Sequence, residues 1–131
     1  MYVIDTNTLI YFFKGIGNVP EKFLSISPKD IAIPSIVIYE LEFGIAKSNS
    51  PKKRQAQLSD ILSLVNILPF GDKEASLSAS IRAKLEKNGT PIGPYDTLIA
   101  GTALAHQGIL VTNNLKEFSR VPKLKTENWY S

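Results

Sequence analysis

Hydrophobic positions recur along this chain with two periods, and the switches between them outline its elements. Tyr2, Val3 and Ile4 form a short apolar run of β-branched and aromatic side chains that stops at Asp5-Thr6-Asn7. The run reads as a buried strand, and the polar triplet marks its end and the start of a helix. Leu9, Ile10 and Phe13 then share helical spacing over Thr8 to Phe13, with Thr6 or Asn7 able to cap, until Lys14-Gly15-Ile16-Gly17 breaks the helix. Pro20 to Ile26 reads as a short amphipathic turn or helix ended before Pro28, and Asp30-Ile31-Ala32-Ile33-Pro34 as a second brief strand.

The stretch Ser35 to Ser48 carries two signals. Ile36-Val37-Ile38-Tyr39 has β propensity, yet Ile38, Leu41 and Ile45 share a helical face and Pro34-Ser35 makes a good helix start, so a helix is predicted. Ser50-Pro51 opens a further helix carrying Leu58, Ile61, Leu62 and Val65 and ending near Asn66, and Ile67 to Phe70 reads as a third strand with Pro69 near its end. Asp72 is expected to cap a helix with Leu77, Ile81 and Leu85 on one stripe, closed by Asn88-Gly89. Pro94 opens a helix running through Leu98, Ile99, Ala103 and Leu104 to His106 and Gly108; its small residues Ala100, Gly101, Ala103 and Ala105 predict burial against close neighbours. Ile109 to Thr112 is a fourth strand, Asn114 to Phe118 a helical turn, and Leu124 to Trp129 a candidate edge strand. Strands separated by helices imply crossover connections, hence an α/β fold whose sheet is mostly parallel and covered on both faces.

Composition narrows the chemistry. At 131 residues and 44% hydrophobic content, one domain spanning residues 1–131 with one core is expected. No apolar run approaches the length of a membrane span and no signal-type segment opens the chain, so a cytoplasmic protein without a membrane partner is expected. The absence of cysteine removes disulfides, thiolate metal sites and cysteine nucleophiles, and the single histidine, His106, leaves no multi-histidine site. His106 falls at the far end of its helix, where a cation suits the dipole, and is read as structural. Carboxylates, hydroxyls, amides and cations remain. The net charge of +3 is compatible with a polyanionic partner without requiring one.

Among the acids, four fall where an α/β fold brings them to one edge. Asp5 ends the first strand, Asp96 lies in the first turn of the buried helix, Glu117 follows the fourth strand, and Glu40 sits in the helix of mixed signals. Each has a structural explanation: Asp5 as a cap, Asp96 as a partner of the helix dipole, Glu40 and Glu117 as solvated charges. Together they are harder to explain. Carboxylates within a few ångströms repel, and they stay ionised only beside a compensating cation; otherwise some protonate through raised pKa values. A hard divalent ion is the natural counterpart: Mg²⁺ takes oxygen ligands, keeps several waters and binds one or two carboxylates directly. Such a site activates water and neutralises charge at a phosphate without histidine or cysteine. Thr6 and Asn114 add hydroxyl and amide groups suited to positioning that water.

The motifs Asp5-Thr6-Asn7, Tyr39-Glu40-Leu41, Gly93-Pro94-Tyr95-Asp96-Thr97-Leu98-Ile99-Ala100 and Leu110-Val111-Thr112-Asn113-Asn114-Leu115-Lys116-Glu117-Phe118, with the closing Val121-Pro122 and Asn128-Trp129, resemble PIN-domain ribonucleases in their order. The likeness extends over essentially the whole chain and is greatest to VapC-type toxins of toxin–antitoxin pairs. It implies a three-layer PIN-like fold, with a mostly parallel central sheet of four to five strands and helices on both faces. It also implies an endoribonuclease dependent on Mg²⁺ or Mn²⁺, which as a toxin inhibits translation until an antitoxin neutralises it. Matched by position, Asp5, Glu40 and Asp96 correspond to the family's principal acids, with Thr6 and Asn114 in support. Asp5 and Asp96 are the expected metal ligands, and Glu40 and Glu117 act directly or through water. The fourth position, often aspartate in the family, is Glu117 here. Glu42 competes with Glu40, but two residues apart on a helix they face different ways.

RNA, with tRNA among its candidates, needs cations near the acids. The choices are Lys52-Lys53-Arg54, then Arg82, Lys84 and Lys87 before the loop that delivers Asp96, and Lys116 with Arg120; Tyr95 is placed to stack on a base beside Asp96 or to pack. The resemblance further implies a homodimer and a small VapB-type antitoxin whose C-terminal segment covers the pocket. Two other readings compete. A phosphatase with a strand-terminal nucleophilic aspartate requires a second acid two residues on, where this chain has Asn7. A non-catalytic RNA-binding scaffold would ordinarily have lost a pocket acid, and none of the four positions is neutral.

Overall fold

The computed structural model describes residues 1–131. Five parallel strands form the sheet: β1 (Tyr2–Ile4), β2 (Ile31–Pro34), β3 (Asn66–Leu68), β4 (Ile109–Val111) and β5 (Lys125–Glu127). Their order is β3-β2-β1-β4-β5. Between them run α1 (Thr6–Lys14), α2 (Val19–Ser25), a 3-10 turn at Pro28–Asp30, α3 (Ser35–Ala46), α4 (Pro51–Leu62), α5 (Asp72–Lys87), α6 (Pro94–Ala105) and α7 (Leu115–Phe118). The chain steps from β1 through β2 to β3 in one direction and then crosses back to β4. With right-handed crossovers, that reversal sends α1–α4 to one face and α5–α6 to the other. The inner strands β1, β2 and β4 are short and nearly continuous in apolar residues, as coverage on both faces requires, whereas the edge strands β3 and β5 are more polar and more exposed.

Local chemistry explains the elements and also the departures from expectation. Helix α1 begins at Thr6 rather than Thr8, because the cap is Asp5 and neither Thr6 nor Asn7: its Oδ1 accepts the backbone N–H of Thr8 at 2.8 Å. Gly15, at φ 69°, ends that helix in a left-handed turn which a side chain would strain. The mixed segment is helical, since the branched residues Ile36, Val37 and Ile38 follow Pro34 at the end of β2 and tertiary packing overrides their β propensity. Helix α4 stops at Leu62 rather than near Asn66, and β3 begins at Asn66, one residue before the expected start. Pairing sets that register, with Ala32 opposite Asn66 and Pro34 opposite Leu68. The Asn66 amide also donates to the carbonyls of Lys29 and Ile31. Pro69, lacking an N–H, falls outside the strand. Helix α5 is capped from Gly71, not Asp72, with Glu74 Oε1 accepting the Gly71 N–H at 2.9 Å.

One cluster of 23 buried residues makes the core, with Val3, Ile4, Ile31, Ile33, Leu110 and Val111 of the sheet fully enclosed. Helix α6 is the most deeply set helix: Thr97, Ile99, Ala100, Gly101, Thr102, Ala103 and Ala105 are all buried. Its closest approach is to α5. A Cβ placed on Gly101 would collide with Ser78 Oγ, so the two helices meet where one has no side chain. This contact fixes the depth of α6 and hence the place of Asp96 in its first turn.

Candidate active site

The sheet's topology singles out one crevice. The chain leaves β1 toward β2 on one side, while β4 lies on the other, so the carboxyl ends of β1 and β4 flank the switch point where open α/β sheets leave room for ligands. Ile4 pairs with Val111, and the backbone N–H of Asp5 continues the ladder to the Val111 carbonyl at 3.2 Å. Asp5 and Thr112 therefore emerge side by side.

Asp5 is buried, with 5% of its surface exposed, and burial raises its pKa above the ordinary carboxylate value. Hydrogen bonds from the Thr112 hydroxyl and from Thr8 oppose that shift without reversing it. The Thr112 oxygen also accepts the backbone N–H of Asn114 at 2.9 Å, so one hydroxyl joins Asp5 to the segment entering α7. From there the Asn114 amide donates to Glu117 Oε2 at 2.9 Å. Across the crevice, the Thr6 hydroxyl donates to Glu40 Oε1 at 2.8 Å and fixes α3 against the start of α1. The polar groups of Thr6 and Asn114, expected to position water, here hold carboxylates.

Asp96 is where the acids converge. Burial, the negative charges of Glu117, Asp5 and Glu40, and a hydrogen bond shared with Glu117 push its pKa up to about 6. Glu117, Asp5 and Glu40 thus all lie within electrostatic reach of Asp96. Neither of the chain's ion pairs, Arg82–Glu86 and His106–Glu74, involves them. No three acidic or histidine side chains stand as a ready-made cage for an ion. The donor set fits a hard cation held by one or two carboxylates with water completing its shell, since the acids supply oxygen ligands and no ion pair compensates their repulsion at Asp96.

The cations predicted for RNA are distributed unevenly. Arg54 lines a groove of about 190 Å³ together with Ile10, Phe13, Leu41 and one of the four acids, Glu40. Lys52, Lys53, Lys84, Lys87 and Lys116 are exposed and make no contact with the acids. Arg82 lies exposed on α5, paired with Glu86 at 3.0 Å. Arg120 serves as a strut, donating to the Pro91 carbonyl at 3.0 Å and tying the end of α7 to the loop that leads to Asp96. Glu42 is exposed, whereas Glu40 is turned inward, which resolves the competition between them. His106 Nε2 stands 3.2 Å from Glu74 at the opposite end of α6 from Asp96, a structural place. Sequence reading missed two residues. Thr112 carried a strand-end signal like that of Asp5, and Tyr39 directly precedes Glu40 and touches Tyr95.

This α/β frame, with acids at the switch point, is that of the PIN domain family, whose model matches residues 2–124; the chain belongs to that family. Within it, the chain belongs with the VapC ribonucleases. It is 37% identical to the tRNA(fMet)-specific endonuclease VapC of Salmonella typhimurium over 98% of this chain and 97% of that one. Ribonuclease VapC2 of Rickettsia felis is 40% identical over 98% of both chains. Among solved structures, the Rickettsia felis VapBC2 complex bound to promoter DNA contains a chain superposing with a TM-score of 0.90 at 38% identity, covering 98% of each chain. A chain of DNA-bound VapBC from Salmonella typhimurium superposes equally well at 36% identity, covering 98% of this chain and 97% of that one.

Proposed function

We propose that this chain is a divalent-metal-dependent endoribonuclease and the toxin of a toxin–antitoxin pair, with residues 1–131 acting as one PIN domain. The observation that carries this reading is the convergence of Asp5, Glu40, Asp96 and Glu117 on one crevice without a cationic partner, strong enough to raise Asp96 to about 6. Asp5 and Asp96 would hold Mg²⁺ or Mn²⁺, with Glu40 and Glu117 acting directly or through water. When bound, the ion supplies water activation and charge neutralisation at the scissile phosphate. The chain's own residues supply order. Thr112 and the Thr8 N–H hold Asp5, Thr6 turns Glu40 inward, and Asn114 fixes Glu117 against Asp96. Because these carboxylates are pinned by Thr6 and Thr8 of α1 and by Thr112 and Asn114 between β4 and α7, little reorganisation is left for the reaction itself. Arg54 offers a cation beside the pocket for the RNA backbone.

The Salmonella relative named for tRNA(fMet) makes a tRNA the first substrate to try, and cleavage there would account for inhibition of translation. The similar structures are complexes of VapB with VapC, which supports a small VapB-type antitoxin as the neutralising partner. A homodimer accords with this assignment. The deciding experiment incubates purified protein with tRNA and Mg²⁺ or Mn²⁺. Cleavage is expected, with Asp5→Ala and Asp96→Ala reducing it at least a thousandfold while circular dichroism stays native. Equal cleavage in excess chelator would overturn the assignment.

A further inference from the structure

Two exposed tyrosines stand immediately before two of the pocket acids, Tyr39 before Glu40 on α3 and Tyr95 before Asp96 on α6. Successive helix residues point about 100° apart, so each ring is splayed beside its acid rather than over it. The two rings nevertheless meet. Their centroids are 5.6 Å apart with the planes tilted 52°, and the Tyr95 hydroxyl approaches that of Tyr39 to 3.4 Å. Tyr39 is 55% and Tyr95 43% exposed, so the core does not consume them.

We propose that Tyr39 and Tyr95 form a platform on which the nucleobase next to the scissile phosphate stacks. This rests on the endoribonuclease reading above and adds the site that holds the base. Aromatic faces accept any base and carry no net charge, so they grip a nucleotide beside carboxylates that repel its phosphate. A base buried in a duplex presents no free face. The ring contact itself, with centroids 5.6 Å apart, brings α3 and α6 together as one surface. The other exposed aromatic of α3, Phe43, one turn beyond Tyr39, is 58% exposed and has Lys47 Nζ 4.9 Å from its ring centroid.

The test uses a 5′-labelled RNA hairpin with an unpaired loop and Mn²⁺. After the cut is mapped, the base on each side of it is replaced in turn by an abasic ribose. For the wild-type protein, one of these replacements is expected to lower kcat/KM about tenfold or more. Tyr39→Ala and Tyr95→Ala are expected to lose a similar factor on the intact hairpin and nothing further on the abasic one, while Tyr39→Phe and Tyr95→Phe keep wild-type rates. Alanine variants at wild-type rate, or losses that multiply with the abasic loss, would overturn the platform and leave the nuclease assignment intact. A rate loss accompanied by a change in sedimenting mass would overturn it in favour of a contact between copies. Absence of metal-dependent cleavage by the wild-type protein would instead remove the reading on which the platform rests.

Discussion

Single hydroxyl groups decide how the acids stand. Thr112 donates to Asp5 and accepts from the Asn114 N–H, so Thr112→Val removes both bonds while keeping the shape. A loss of about 1 kcal/mol in urea unfolding is expected, together with a larger fall in kcat than the stability change alone would give; Thr112→Ser should recover most of the rate. Protonation gives a second check at this scale. Asp96 binds a proton more tightly in the folded chain, near pH 6, than its ordinary value of 3.8 would allow when unfolded. Between those limits the folded state holds more protons, so in chelator the contribution of Asp96 to stability falls as pH rises from about 4 to about 6. The melting-temperature difference between wild type and Asp96→Asn should therefore favour the wild type more at pH 4.5 than at pH 7. A flat difference would show that the acids do not crowd Asp96. In the sequence, Asp5 was readable because a carboxylate ended an apolar run, but the bond from Thr6 to Glu40 joins residues 34 apart. No local pattern encodes such a pair.

Among the elements, α5 and α6 hold the decisive contact. Gly101→Ala places a methyl into Ser78 Oγ and should cost about 1–3 kcal/mol in chemical denaturation. Ser78→Ala alone should cost little, since Ser78 Oγ is buried without a hydrogen-bond partner, and it should relieve part of the Gly101→Ala penalty in the double variant. Additive losses would place the strain elsewhere. Periodicity and small residues showed α6 as the buried helix, and Pro34-Ser35 showed α3 as a helix despite its branched residues. Element ends were less legible. The limits of α4 and β3 follow from pairing with β2, and the start of α1 follows from the Asp5 side chain turning back on Thr8. Both causes act through contacts made only when the sheet assembles.

For the whole molecule, a cation that binds only the folded state shifts the unfolding equilibrium. At a hundredfold excess over its dissociation constant the gain is about 2.7 kcal/mol, so millimolar Mn²⁺ should raise the wild-type Tm by several degrees and leave that of Asp5→Ala unmoved. Equal shifts in both would mean that the ion binds elsewhere. The sequence by itself determined the α/β class, the order of helices and strands, and the placing of Asp5 at a strand end and Asp96 in a helix's first turn, because hydrophobic period and strand-end polarity are local properties of the chain. Tertiary structure decided the rest. It made Asp5 at once a helix cap and a pocket acid, chose Glu40 over Glu42, turned Arg120 into a strut, brought Arg54 beside Glu40, and set Tyr39 against Tyr95. Those outcomes depend on the β1–β4 register and on the depth of α6, and strand pairing and helix packing join residues far apart in the chain.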